Sequence, residues 1–381
     1  MNIMYKGDKE FKYESFWRDK YNDSNKDSKG HIFPWPQEGK IWSDQDQFVN
    51  RLETVEKYLR FRNKYIPYDN KDAKSCILCG QKNISKGMFK LTNVYWEDGL
   101  KHYIKKHNIK PSSDFIELIY KFQPLKSKNK IKIARIKGVS YKISDVQYIK
   151  LDRNQIMIMD ALMKHGGYTK KYIDRKNKNI YRFSEHAGLL DFNNSGLERI
   201  IISGNTNRVD RGDDEIFLPK NIKDAVDYEY IFHTHPPTPK PGGRVKLGIL
   251  YEFPSPSDIF HFLDHFNDGV TQGSLVVTPE GMYNIRKLKF DRVKIKIDED
   301  MMYDEIRDIF REVQDEAIKK YGMKFNTYQF YSKIAPNRTY IEKVNTVLNK
   351  YEMHIDYFPR IKDTTGKWII DTIHLPIYVI E

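Results

Sequence analysis

Two histidines one residue apart, His233 and His235, end a largely apolar run from Tyr228 to Phe232, and Pro236 and Pro237 follow at once. Side chains two apart on a strand share a face, so both imidazoles can converge on one ion. The prolines end the strand and hold the exit backbone extended. After a long loop, Ser255-Pro256-Ser257-Asp258 opens an apolar helical pattern through Ile259, Phe260, Phe262, Leu263 and Phe266. Asp258 thus falls in or near a first helical turn, where the helix dipole favours a carboxylate. Two neutral imidazoles, one carboxylate and a vacant fourth position make a catalytic zinc site, as opposed to a closed structural one.

Hydrolysis at such an ion needs a proton acceptor on a neighbouring upstream element. The segment Arg182 to Leu190 supplies Glu185 just before a short apolar strand. Here the sequence resembles the JAMM (MPN+) zinc metalloproteases, which include ubiquitin isopeptidases. Their pattern is a Glu followed shortly by Gly and apolar residues, then His-x-His-Pro, then Ser-x-x-Asp. In this chain those motifs read Glu185-His186-Ala187-Gly188-Leu189-Leu190, His233-Thr234-His235-Pro236 and Ser255-Pro256-Ser257-Asp258. The resemblance covers residues 150 to 297. One departure is length: nineteen residues separate His235 from Ser255, more than the family usually has there. The surplus, Thr238 to Phe253, reads either as a lid or substrate-reading flap, or as a surface loop, since long insertions cost little chain entropy.

The resemblance implies hydrolysis of an isopeptide bond between lysine and ubiquitin or a ubiquitin-like protein. His233, His235 and Asp258 would hold the catalytic zinc, Glu185 would act as general base, and the Ser255 hydroxyl would hydrogen-bond the oxyanion. Taken singly, each residue has a plainer reading: strand-end histidines and a helix cap. Two other classes remain alongside the enzyme. One is an inactive JAMM-fold scaffold or structural protein; the other is a nucleic-acid-associated protein.

The second motif uses the chain's two cysteines, Cys76 and Cys79, with His102 and His107. The arrangement is Cys-x2-Cys, twenty-two residues, then His-x4-His. It resembles a two-Cys, two-His zinc finger with an enlarged connection, and four protein ligands would make a closed, structural zinc site. Two cysteines are too few for a disulfide scaffold.

The net charge of +13 is concentrated, because residues 101–150 hold 13 Lys+Arg against 3 Asp+Glu. Such a block is either a face for nucleic acid or an acidic protein surface, or a solvated lysine-rich face. Hydrophobic content of 39% supports real cores. No signal peptide or membrane-length apolar stretch is visible, so an intracellular, soluble protein of cytoplasm or nucleus, without membrane partners, is expected.

The fold class expected is α/β (α+β): a JAMM-like mixed sheet flanked by helices, with a zinc-finger-like region before it and a small α+β module after it. Residues 1–42 read as a polar arm pinned by Trp17 and Trp35, and 43–130 as a helical, zinc-finger-like basic region. Residues 131–297 form the metalloprotease-like domain, and 298–381 the C-terminal module. Within these, a helix is predicted from Ser43, capped by Ser43 with Asp46 and stopped by Pro67. Phe115–Phe122 reads as helix or strand, and Ile131 to Ile143 as a small hairpin turning at Gly138. Further helices are predicted over 154–163, 298–322 and 337–351. Strands are expected at 188–192 and 197–203, a polar loop over 205–214, and a hairpin turning at Pro279-Glu280-Gly281. The end, 353–358 and 368–380, alternates as strands do. His261 and His265 read as packing or supporting groups, and His354 and His374 as structural residues.

Overall fold

The computed structural model describes residues 1–6, 9–18, 26–69, 73–122, 146–168, 172–173, 181–193, 196–203, 207–209, 218, 228–236, 252–269, 271–291, 293–322 and 330–378. The chain divides into two units, Met1–Lys126 and Ser127–Glu381. Both mix strands and helices, in agreement with the α+β class.

In the first unit, β1 (Asn2–Lys6), β2 (Lys9–Glu14), β3 (Tyr65–Pro67), β4 (Gly87–Leu91) and β5 (Val94–Glu97) form a sheet ordered β1-β2-β5-β4-β3. Helices α1 (Gln45–Phe61), α2 (Leu100–His107) and α3 (Ser113–Lys121) accompany it. Phe48, Leu52, Val55 and Leu59 recur at helical spacing on α1 and are all buried. Phe48 meets Phe115 and Tyr120 edge-on, which ties α1 to α3. The Ser112 hydroxyl accepts from Phe115 N–H, so the Phe115 segment is a capped helix.

Two expectations fail in this unit. The first residues are not an arm, because β2 runs parallel to β5 with Lys12 opposite Val94 and Glu14 opposite Trp96. That partner is remote in sequence, and local alternation cannot announce it. Ser43 also does not cap α1: Asp44 holds the N-cap position, and the helix ends at Phe61, short of Pro67, which closes β3.

In the second unit, β6 (Val146–Leu151) precedes α4 (Arg153–Tyr168), followed by β7 (Tyr172–Ile173), β8 (Tyr181–Glu185), β9 (Ala187–Asn193), β10 (Gly196–Ile202) and β11 (Asn207–Val209). Then come β12 (Tyr230–Thr234), α5 (Pro256–Asp268), β13 (Gly273–Val277), β14 (Gly281–Lys287), α6 (Glu299–Tyr321) and α7 (Thr339–Leu348). The chain finishes with β15 (Met353–Pro359), β16 (Ile361–Lys362), β17 (Trp368–Ile369) and β18 (Ile373–Tyr378).

Six strands form the central sheet in the order β10-β9-β12-β13-β14-β15. β12 runs parallel to β13 and antiparallel to β9. One face packs Val276, Tyr283 and Ile285 against Phe262, Ile306 and Val344 of α5, α6 and α7. The other packs Phe232, Leu275 and Met282 against Ile156 and Met159 of α4, with Leu151 and Leu375 of the β6–β18 pair. Fully burying a side chain such as Phe262 is worth roughly 1.5–3 kcal/mol. Because strand side chains alternate, Phe232 facing α4 leaves His233 facing the α5 side.

Residues 298–381 are therefore no separate module. β15 is an edge strand of the sheet, paired with β14 from Gly281↔Pro359 to Lys287↔Met353. The period-2 pattern signals a strand but not its partner. On α4, Met159 and Met163 are buried while Met157 and Ile158 are exposed, so the Met-rich stripe is only partly core. The polar 205–214 stretch includes β11, and the predicted 131–143 hairpin and most of the 238–253 insertion lie outside the described residues. Among the described residues no helix is long and apolar enough to cross a membrane.

Candidate metal centres

The first centre lies in the first unit. Gly80, at φ +72°, lets the backbone turn sharply after Cys79, a conformation that costs a glycine little. Cys76 N–H donates to the Gln81 carbonyl (2.8 Å) and Gly80 N–H to the Cys76 carbonyl (2.9 Å), closing a knuckle that presents both thiols. The β4–β5 hairpin follows, and then α2 carries both histidines. Cys76 Sγ lies 3.3 Å from His107 Nε2, and Cys79 Sγ 3.3 Å from His102 Nε2. All four donor atoms fall within 4.8 Å of one another, a group that could hold a metal ion.

His107 Nδ1 stands 2.6 Å from Glu38 Oε1. A carboxylate on the far ring nitrogen fixes the tautomer that leaves Nε2 free for an ion. Burial pushes the Cys76 thiol up, whereas the Gln81 backbone N–H draws that of exposed Cys79 down. Burial, with His107 and Lys106 nearby, lowers His102 and favours its neutral, ligating form.

The second centre sits where β12 ends and α5 begins. His233 and His235 are almost wholly buried, with Nε2 atoms 3.0 Å apart. Asp258 Oδ1 is 3.0 Å from His233 Nε2, and Oδ2 is 3.4 Å from His235 Nε2. The three side chains form the second group that could hold a metal ion, and no fourth His, Cys, Asp or Glu joins it among the described residues. His235 Nδ1 lies 3.1 Å from the Glu252 carbonyl oxygen. Two buried imidazoles and a carboxylate converging on one point are neutral-nitrogen and oxygen donors of the kind zinc takes, so this donor set fits a metal.

Asp258 is placed by a capping box. Its N–H donates to Ser255 Oγ (3.3 Å), and its Oδ2 accepts from Ser255 N–H (2.5 Å) and Ser255 Oγ–H (2.9 Å). Oδ1 is then the oxygen left for a ligand bond. Burial would raise the Asp258 carboxyl, but the His233 and His235 imidazoles hold it well below the usual carboxylate range.

Glu185 ends β8, half-buried, two residues before Ala187, which lies opposite His233. Thr234 N–H donates to the His186 carbonyl (2.9 Å), and His186 N–H to Thr234 Oγ1 (3.0 Å). Glu185 itself pairs with Asn207 in the separate β11-β8-β7 sheet, and it is not among the side chains grouped at His233, His235 and Asp258. Gly188 is needed for space: a Cβ there would lie 2.3 Å from the Ile201 carbonyl oxygen and 2.5 Å from the Phe232 ring.

Sequence reasoning missed several supporting groups. Glu38 and the Glu252 carbonyl are remote from the histidines they hold, and no motif marks them. His165 on α4 approaches His186, with ring nitrogens 3.4 Å apart. Glu280, in the β13–β14 turn, is buried with its carboxyl pushed up to about 7, by burial and then by the Glu252 charge. The His261 and His265 rings, expected from the sequence as packing or supporting groups, lie 4.6 Å apart and tilted at 56°, and Tyr228 Oη lies 2.9 Å from His265 Nδ1. Burial and the neighbouring His265 and His233 push His261 down to about 3. In the basic block, Lys101 pairs with Glu56 (2.9 Å), Lys105 with Glu53 (3.1 Å) and Lys150 with Asp152 (2.9 Å). Residues 123–145 of that block lie outside the described residues.

No family model matches the chain, and no solved structure matches it. A protein of Acanthamoeba polyphaga mimivirus, "Uncharacterized protein R413", is 30% identical over 345 residues, which span 86% of this chain and 93% of the viral protein. By that identity and coverage, the chain belongs to the same family as this mimivirus protein.

Proposed function

We propose that the protein is a zinc-dependent metallo-isopeptidase of the JAMM type, with its catalytic centre at His233, His235 and Asp258 and a second, structural zinc at Cys76, Cys79, His102 and His107. The observation that carries the reading is the convergence of three ligand atoms within 4.8 Å, with no fourth ligand among the described residues. Two imidazoles with one carboxylate is a donor set that leaves a coordination position for chemistry, whereas two thiols with two imidazoles closes a tetrahedron. Substrate class rests on the motif resemblance: conjugates of ubiquitin or a ubiquitin-like protein.

Zinc held by the three residues supplies Lewis acidity and makes a hydrolytic nucleophile available near neutral pH. Glu185 accepts the proton released in the attack and returns it to the leaving amine. His235 is held in one tautomer by the Glu252 carbonyl, and Asp258 in one rotamer by Ser255. Ser255 has one hydroxyl proton, which it gives to Asp258 Oδ2, so its role here is to position Asp258; donation to an oxyanion requires that bond to break first.

The test is cleavage of a panel of ubiquitin-like conjugates by the purified chain, against the Glu185→Gln variant and chelator-treated protein. Turnover lost in both controls supports the hydrolase. Bound zinc without turnover on any conjugate returns the chain to the scaffold reading.

A further inference from the structure

The twelve residues from Lys57 to Tyr68 hold four cations and no acid. They form the corner where α1 ends and β3 begins. Phe61, the last residue of α1, is 82% exposed. Lys57 lies one turn before it on the same helical face, and Arg62 and Lys64 follow it. Lys57, Arg62 and Lys64 are exposed and have no ion-pair partner among the described residues, unlike Lys101 and Lys105 of the basic block.

The corner is held in shape by its own backbone. Arg62 N–H donates to Tyr58 (3.0 Å), Asn63 N–H to Arg60 (3.1 Å) and Lys64 N–H to Leu59 (2.8 Å). Asn63 takes the left-handed conformation, φ 55°. Close by in the chain, the Arg60 guanidinium lies 3.6 Å over the Tyr65 ring. Among the described residues β3 is an edge strand paired with β4, and it exposes Ile66. Phe61 is therefore a large apolar ring presented to solvent by a fixed turn and flanked by unpaired cations.

We propose that this corner binds single-stranded nucleic acid, with Phe61 as a stacking platform for a base and Lys57, Arg62 and Lys64 as contacts to its phosphates. A single strand offers planar rings and anions in alternation, which matches cations set around one exposed ring. Duplex bases are already stacked, so a side chain reaches their faces only at the cost of unstacking a step, which a single strand does not impose. An anionic membrane surface would call for a broader apolar face than one phenylalanine and one isoleucine. This assignment lies in the first unit and does not depend on the hydrolase reading.

The test uses the full chain and fluorescein-labelled 20-nucleotide oligo-dT and oligo-U, read by anisotropy at about 50 and 200 mM salt. Phe61→Ala is expected to weaken binding about tenfold, within the range for loss of one stacked base. Phe61→Trp should keep the affinity. Arg62→Ala and Lys64→Ala should each weaken binding and flatten the log–log salt slope by roughly 0.7. Phe61 is exposed, and matching melting curves of the variants confirm that the fold is retained. The proposal is overturned by absence of oligonucleotide binding, by binding indifferent to Phe61→Ala, by preference for duplex, or by capture on phosphatidylserine vesicles without oligonucleotide binding.

Discussion

His235 Nδ1 is 3.1 Å from the backbone carbonyl oxygen of Glu252. A carbonyl only accepts, so Nδ1 carries a proton, and in the neutral ring Nε2, 3.0 Å from His233 Nε2, is the atom free to bind an ion. The same logic holds in the first unit, where Glu38 meets His107 Nδ1. Each centre thus has at least one imidazole oriented for a metal by a group the motifs do not contain.

If both groups bind zinc, the intact chain carries two equivalents. Cys76→Ala should remove one, and His233→Ala the other, because the ligand sets belong to different units. Elemental analysis of the purified variants checks this. One variant losing both ions, or neither variant losing any, contradicts the assignment. Cys76→Ala should also lower the melting temperature of the first unit, since a structural metal's binding energy is folding energy.

Ser255→Ala separates positioning from catalysis. Loss of the N-cap should cost about 1 kcal/mol, and loss of the Oγ–Oδ2 bond should weaken zinc binding at the second centre by about 10–100-fold. Ser255→Thr, which keeps the hydroxyl, should restore most of both. The readouts are thermal melting and a zinc competition titration. Unchanged zinc affinity with a fall in kcat alone would assign Ser255 to the oxyanion instead.

The side chains that converge at both candidate centres were legible in the sequence because each group rests on short-range geometry: two positions on a strand end, a helix N-terminus, a knuckle, one helix carrying two histidines. The hairpin turning at Pro279–Gly281 and the capped helix opening at Asp298 could be read for the same reason. What stayed hidden depends on partners distant in the chain. β2 beside β5, β15 beside β14, and Glu38 against His107 are pairings whose residues look ordinary until the fold joins them. The cap of α1 failed differently: Asp44 holds the N-cap position without a side-chain cap, and its Oδ2 accepts from Tyr120 Oη (2.7 Å) instead.

Gly188 tests the link between sheet packing and the second centre. It pairs with Phe232, next to His233, and a Cβ would collide with the Ile201 carbonyl oxygen and that ring. Gly188→Ala should therefore destabilise the second unit by roughly 1–3 kcal/mol, the usual cost of overpacking, and weaken zinc binding there while leaving the first centre loaded. Denaturant melts and per-site zinc counts measure the two effects. A variant as stable as the parent would mean that the strands separate without penalty and that the glycine is incidental.

Glu280 predicts a pH dependence of opposite sign to that of Asp258. Tyr283 Oη donates to its Oε1 (3.1 Å), while Oε2 is buried without a hydrogen-bond partner. Its carboxyl is raised to about 7 from an ordinary value of 4.5, first by burial and then by the Glu252 charge. The unfolded chain therefore ionises this group at lower pH than the folded chain does. Its contribution is fully present below about pH 4.5 and is lost as pH rises to about 7, an effect on the order of 3 kcal/mol. Asp258, held low, loses stability in the other direction, as pH falls through the acid range. Glu280→Gln keeps the shape and removes the titration, so its stability should exceed the parent's at pH 8 and the gap should shrink towards pH 5. Chemical denaturation of chelated protein at a series of pH values measures the gap, and a gap constant across that range would show that the carboxyl does not titrate between folded and unfolded chains.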